Sequence, residues 1–269
     1  MNTPDESEMK TVRILFIADI FGKPGLDILT RMLPGFAKEK RADLIVANGE
    51  NADNGRGLTV ELANSLYDLG VGVITSGNHI WDKAPIRKEF KKFPNLLRPL
   101  NYPSGSGGRG STVFSTKSGI EITVLNLQGR TFMTPIDCPF RVLERYLENK
   151  KVESPIVFVD FHAESTAEKQ ALAWHFDGRV SAIIGTHTHV QTADERIFEK
   201  GTGYITDAGM TGSFDSVIGM VPKVAIRRFL TQTPQPFQTA SDNLHICGVV
   251  VEIDSESGKC ISIERFSTP

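Results

Sequence analysis

VRILFIAD, residues 12–19, is followed at 43–51 by DLIVANGEN and at 71–79 by VGVITSGNH, and these three stretches decide the fold. Each is a run of apolar and β-branched residues that ends in polar ones: Asp19, then Glu50 with Asn51, then Asn78 with His79. The runs are too short for helices and too continuous for a half-exposed sheet, so Val12–Ala18, Asp43–Ala47 and Val71–Thr75 read as buried strands. Between them the pattern predicts helices over about Leu26–Lys40 and Thr59–Leu69, the first behind the breaker Gly22–Lys23–Pro24–Gly25. Strand, loop, helix, strand at this spacing is the βαβ unit, which requires parallel strands and crossover helices. Functional loops in such sheets lie beyond the carboxyl ends of the strands.

Outward from that core, Asn101–Gly110 is a Gly-, Pro- and Ser-rich loop, and Ser111–Ser115 and Glu121–Leu127 read as strands joined by a turn at Lys117–Gly119. A helix is expected over Phe140–Asn149, a strand over Ile156–Asp160, a helix over Thr166–Phe176 and a strand over Val180–Gly185. Two hairpins follow, Arg196–Phe198 with Tyr204–Thr206 and Ile246–Ile253 with Cys260–Arg265. No repeat or linker interrupts the chain. The sequence reads as one α/β domain over 11–269, mixing parallel and antiparallel strands, behind a poorly ordered tail at 1–10.

Composition narrows the function. With 40% hydrophobic residues in 269, the chain can bury a full core without disulfides. Thirty Lys and Arg against 32 Asp and Glu leave a net charge of −2 with no long run of one sign, which argues against a stable complex with nucleic acid. A small nucleotide substrate remains open. Three scattered cysteines, Cys138, Cys247 and Cys260, fit neither a disulfide framework nor a CxxC metal site, so a reducing cytoplasm is expected. The acidic, polar start is not a signal peptide, and no apolar run approaches the roughly 18 residues that read as a membrane span.

Polar groups stand at five successive strand ends: Asp19; Glu50 and Asn51; Asn78 and His79; His162; and His187 with His189. Residues two apart in an extended segment share a side, so His187 and His189 can face one site. Carboxylate, amide and imidazole donors without thiolate suit hard or borderline divalent ions. Seven candidate ligands exceed one four-coordinate ion and suit two metals sharing a carboxylate. Taken singly, each feature has a plainer reading as a turn or cap residue. Their order at consecutive strand ends is what those readings leave unexplained. Gly105, Gly107 and Gly110 satisfy GxGxxG but lack the strand-to-helix context, so they read as a flexible loop. Arg109 and Arg130 read as solvated, Trp81 and Phe132 as packing rather than base-stacking residues, Thr211–Ser213 as a turn, and His175 and His245 as structural.

These residues resemble the calcineurin-like dinuclear metallophosphoesterases. The stretches NGENADNGRGLT, SGNHIWDK, NLQGRTFM, DFHAESTAEK, GTHTHVQTADERI and TDAGMTGSFDSVIGM closely resemble its YmdB-like branch, from about Arg13 to Arg265. The resemblance implies an αββα sandwich of mixed sheets with the metal site at the carboxyl ends of the strands. It implies two divalent metals, iron or manganese ahead of zinc. Asp19, Glu50, Asn51 and His189 would hold one; Asn78, His162 and His187 would hold the other, with Glu50 bridging. The implied activity is hydrolysis of 2′,3′-cyclic nucleotides by a metal-bridging hydroxide, with His79 as proton donor. The wider family has Asp-x-His where this chain has Asp19–Ile20–Phe21, so Asn51 is expected to replace the missing histidine. Phosphomonoesterase activity, or a regulatory RNA-associated role with a vestigial metal site, are the alternatives. The implied partner is a small phosphodiester, and self-association is left open.

Overall fold

A computed structural model describes residues 10–149 and 154–269. Of the tail expected to be poorly ordered, residues 1–9 lie outside the described residues. The elements run β1 (Thr11–Ile17), α1 (Gly22–Glu39), β2 (Leu44–Asn48), α2 (Val60–Asp68), β3 (Val73–Thr75), α3 (Ala84–Glu89), β4 (Ser111–Ser115), β5 (Glu121–Gln128), α4 (Pro139–Glu148), β6 (Ile156–His162), α5 (Thr166–Phe176), β7 (Ala182–Thr186), β8 (Arg196–Ile197), β9 (Gly203–Ile205), β10 (Gly212–Ser213), α6 (Pro222–Thr231), β11 (Leu244–Asp254) and β12 (Cys260–Thr268).

They form two mixed sheets. In the first, β1, β2 and β3 are parallel neighbours, β11 runs antiparallel along the free edge of β1, and β12 closes the far side of β11. In the second, β5, β6, β7 and β9 are parallel, with β4 and β8 antiparallel at the two edges. Alternate residues of both sheets fill one shared core: Ile14 and Phe16 of β1 and Val46 of β2 are in the same cluster as Val124 of β5, Phe158 of β6 and Ile184 of β7. Phe16 and Phe158 meet across it with ring centroids 5.7 Å apart, and a fully buried side chain of this size is worth about 2–3 kcal/mol. The opposite faces are covered by helices. Ile28, Leu29 and Leu33 of α1 and Leu66 of α2 pack on Leu15 and Ile17, while Leu143 of α4 and Leu172 and Phe176 of α5 pack on Val157 and Val159. This is the expected αββα sandwich.

Several local expectations change. Helix α1 begins at Gly22, four residues before the expected start, because a proline is tolerated in the first helical turn. Gly25 is there for approach rather than for breaking: a Cβ on it would sit 2.4 Å from the Thr211 carbonyl oxygen. Gly212–Ser213, expected as a turn, is a short strand paired to the start of β11. Strand β6 continues to His162, which pairs in register with Thr186 of β7 and Gln128 of β5, so His162 is a strand residue and not a loop residue. Helices α3 and α6 were not expected. Each buries one side chain, Ile86 and Ala225, and the i, i+3, i+4 set Ile226, Phe229 and Leu230 of α6 is left exposed. The GxGxxG segment, expected to be a flexible loop, is pinned at its end, where Gly110 is buried against Leu100 and the Arg98 N–H donates to the Arg109 carbonyl at 3.0 Å.

Candidate metal centre and active cleft

The parallel registers bring the carboxyl ends of β1, β2, β3, β6 and β7 to one edge, and all eight residues singled out from the sequence meet there. Asp19, Glu50 and His162 are fully buried and Asn51 nearly so. On one side, Asn51 Nδ2 donates to Asp19 Oδ1 and Glu50 Oε1, each at 3.2 Å, and lies 3.2 Å from His189 Nε2. On the other, His162 Nε2 lies 2.9 Å from Glu50 Oε1, 3.1 Å from Asn78 Oδ1 and 2.9 Å from His187 Nδ1. Glu50 belongs to both sides. Its second oxygen accepts the His79 backbone N–H at 3.0 Å.

A ring nitrogen carries at most one proton, so His162 Nε2 cannot satisfy a carboxylate, an amide oxygen and a second imidazole together. The hydrogen bonds behind it sharpen the point. Thr186 donates its hydroxyl proton to Asp160 Oδ1 at 2.7 Å and therefore accepts from His162 Nδ1 at 3.0 Å. Protonated at Nδ1, a neutral His162 turns the lone pair of Nε2 toward Glu50, Asn78 and His187, which is the ligating form. Glu50, His162 and His187 each offer an atom within 4.8 Å of the others, a group that can hold a metal ion. The donor set fits a divalent cation.

Electrostatics agree. Burial works to raise the Glu50 carboxyl, but the adjacent His162 and His79 outweigh it and hold it at about 2. Burial works to lower His162, but Glu50, Asp19 and Asp160 outweigh it and raise it to about 9. Burial and the His162 charge push His187 down to about 3. Burial raises Asp19, against the pull of His189 and His162. Without a cation, the proton on His162 is what balances the buried carboxylates.

The turn that aims the two later histidines is strained. His187 has φ 104° and His189 φ 67°, left-handed conformations that cost on the order of 1–3 kcal/mol each and persist only where surroundings enforce them. Here Asp207 enforces them. Its Oδ2 accepts from the Thr188 N–H at 3.0 Å, from the Thr188 hydroxyl at 2.8 Å and from Lys169 Nζ at 2.8 Å, and the Lys169–Asp207 pair is buried. Glu164 Oε2 stands 3.1 Å from His187 Nε2, leaving Nδ1 to face His162. Phe21 packs edge-on against the His189 ring at 5.3 Å.

The cleft above these groups holds about 470 Å³, within the range of small-ligand sites. His79 forms part of its wall, its Nδ1 3.0 Å from Asp82 Oδ2 and 3.4 Å from Arg56 Nε. Sequence reasoning missed Asp82, Arg56, Glu164, Asp160, Lys169 and Asp207. All six lie inside the family-like stretches quoted from the sequence but were given no role there, and Lys169 left a further trace: with Leu172, Ala173 and Phe176 it completes an i, i+3, i+4, i+7 stripe. Of the residues set aside, Trp81 packs between Phe90 and Tyr102 as expected. Phe132 does not pack; it is 88% exposed. Arg109 and Arg130 are exposed, and His175 and His245 stand apart from the centre against Phe140 and Phe214.

The sequence from residue 15 to 266 matches the model of the YmdB-like protein family. Over 255 residues, 95% of this chain and 96% of the relative, it is 46% identical to a 2′,3′-cyclic-nucleotide 2′-phosphodiesterase of Bacillus subtilis (strain 168). The fold superposes with a TM-score of 0.90 on a crystal structure described as a novel phosphatase from Mycoplasma pneumoniae, at 35% identity over 96% of this chain and 94% of that one. It superposes with a TM-score of 0.88 on a hypothetical protein of Thermus thermophilus, at 40% identity over 96% of this chain and all of that one. The chain belongs to the YmdB-like family.

Proposed function

We propose that the protein is a metal-dependent phosphodiesterase that opens 2′,3′-cyclic nucleotides, with a dinuclear centre of iron or manganese. The observation that carries this reading is the convergence of oxygen and nitrogen donors on two points joined by Glu50, beneath a cleft walled by His79. Asp19, Asn51 and His189 would hold one ion and Asn78, His162 and His187 the other, with Glu50 between them. Ions bound there supply Lewis acidity and neutralise charge on the phosphoryl oxygens. The remaining work falls to side chains. Hydrolysis adds water to phosphorus, breaks the bond to O2′ and must return a proton to that oxygen; the 3′-phosphomonoester is the product. His79, with Nδ1 held by Asp82, has its Nε2 free for that transfer, a role worth about 10²–10⁴ in rate.

The test is turnover by metal-replete protein on 2′,3′- and 3′,5′-cyclic nucleotides, aryl diesters and monoesters. Preference for the 2′,3′-cyclic diesters is expected. His79→Ala should keep its metals and lose most activity, whereas Glu50→Ala and His187→Ala should lose metal as well. Full activity in metal-replete His79→Ala would remove His79 from the reaction. Faster turnover of monoesters, or none at all with manganese, iron or zinc, would overturn the reading.

A further inference from the structure

Two cavities meet at the mouth of the cleft. The cleft shares Arg56, Arg228 and Phe237 with a second compartment of about 410 Å³, whose other lining is the neutral side chains of residues 232–235. No carboxylate lines that compartment, so its charge comes from the two guanidiniums. Arg56 is already matched, its Nε 3.1 Å from Asp82 Oδ2. Arg228 forms no ion pair among the described residues. One unmatched guanidinium, with a planar fork of donors, is suited to one phosphate monoanion.

We propose that this second compartment takes the internucleotide phosphate and penultimate nucleoside of an oligoribonucleotide, so that the substrate class is RNA 3′ ends closed by a 2′,3′-cyclic phosphate. The inference rests on the phosphodiesterase reading. In such a substrate the cyclic phosphate occupies both O2′ and O3′ of the terminal ribose, and the chain continues only through O5′. The next phosphate therefore lies one nucleoside away from the reacting phosphorus, in the direction of a neighbouring compartment. Phe237 on the shared wall is 40% exposed, and a base stacked on such a ring binds roughly five- to hundredfold more tightly. Gly55, with φ +80°, makes room for it: a Cβ there would sit 2.5 Å from Phe237 Cε1.

The chemistry gives this substrate a source. Attack of a ribose 2′-hydroxyl on the adjacent RNA phosphodiester forms the P–O2′ bond, expels the 5′-oxygen with a proton and leaves a 2′,3′-cyclic end. This enzyme would consume that end with one water, breaking P–O2′ and leaving a 3′-phosphate. The net charge of −2 supplies no long basic track. Recognition should stop at the second nucleotide.

The test compares kcat/KM of the metal-replete enzyme on a nucleoside 2′,3′-cyclic phosphate, its 5′-phosphorylated form, and a dinucleotide and tetranucleotide ending in the same cyclic phosphate. The dinucleotide should exceed the mononucleotide by about tenfold or more, the gain from one charge-assisted phosphate contact. The tetranucleotide should add less than about twofold, since the compartment's lining holds no basic group besides Arg56 and Arg228. Arg228→Ala should lower the dinucleotide-to-mononucleotide ratio by about tenfold, leaving only what stacking on Phe237 supplies, and Arg228→Lys, which keeps charge without the fork, should hold it between. If mononucleotides turn over and dinucleotides are no better, the inference fails while the phosphodiesterase reading stands. A loss in Arg228→Ala that is equal for both substrates also overturns it. A 5′-phosphorylated mononucleotide that fully matches the dinucleotide overturns the nucleoside half. No turnover of any substrate overturns the functional reading and this one with it.

Discussion

Gly77 presses its backbone against the ring of His162, and replacing it with alanine gives a calculable perturbation. A Cβ built on Gly77 falls 2.1 Å from His162 Cδ2 and 2.4 Å from both Cγ and Nε2, whereas ordinary contact begins at 3.4 Å. The ring must then retreat by roughly 1.3 Å, the difference between those separations. His162 has little room to retreat. It is fully buried, and its Nδ1 is tied to Thr186, which is tied in turn to Asp160. Ligand distances in a metal site tolerate about ±0.2 Å, so a shift several times larger removes Nε2 from the donor set. A displacement near 1 Å costs about 10² in rate, and overpacking of this kind costs about 1–3 kcal/mol in stability. The assay is metal content by elemental analysis, together with the thermal midpoint and kcat on a 2′,3′-cyclic nucleotide. A folded Gly77→Ala protein is expected to lose metal and at least 99% of its activity. Full metal content with turnover within threefold of the parent would refute the placement of His162 in the centre.

Three further outcomes follow from the same geometry. His162 at about 9 and Glu50 at about 2 mean that the metal-free protein at pH 7 holds a proton that a cation must displace, so loading should release about one proton, measured by calorimetry in buffers of different ionisation enthalpy; release of none refutes it. Because the His162 value is raised, its stabilisation is complete below about 6.5 and lost as pH rises through 9, so the metal-free protein should lose on the order of 2 kcal/mol between pH 7 and 9 by denaturant unfolding, and His162→Gln should flatten that slope. Lys169→Ala leaves Asp207 buried and unpaired, which should cost about 3–5 kcal/mol and loosen the turn at Thr188; a loss below about 1 kcal/mol would show that the pair does not hold the turn.

Much of the site was legible in the sequence because its donors end apolar strands, and an apolar run that stops at a polar residue announces both the strand and its end. His187 and His189 are visible for that reason, and so are Glu50 and Asn51. The groups that hold those donors are hidden for a converse reason: they act across the fold. Asp160 lies inside β6 and serves Asn48 and Thr75 on the facing sheet and Thr186 on the neighbouring β7, partners that its local sequence pattern does not reveal. Glu168 misleads outright. Ser165 and Glu168 have the spacing of a capping box, and the Ser165 hydroxyl does accept from the Glu168 N–H at 3.4 Å. The Glu168 carboxylate instead accepts from the Arg130 and Thr131 N–H groups, binding the loop after β5 to helix α5.

A lysine on a helix is ordinarily solvated, and its burial without a partner would be prohibitive. The Lys169 ammonium is buried because Asp207, 38 residues later, is delivered beneath the same turn that carries His187 and His189. The pair therefore exists to fix a strained turn, and the strain exists because two successive imidazoles two residues apart must both reach inward past Thr188. Had β7 simply continued, both rings would share a side but remain in the line of the strand; the left-handed backbone at 187 and 189 folds them back over Glu50 and Asp19. On this reasoning the cost of the turn is met by Lys169 and Asp207, and any substitution that relaxes that pair should weaken metal retention before it unfolds the sheets.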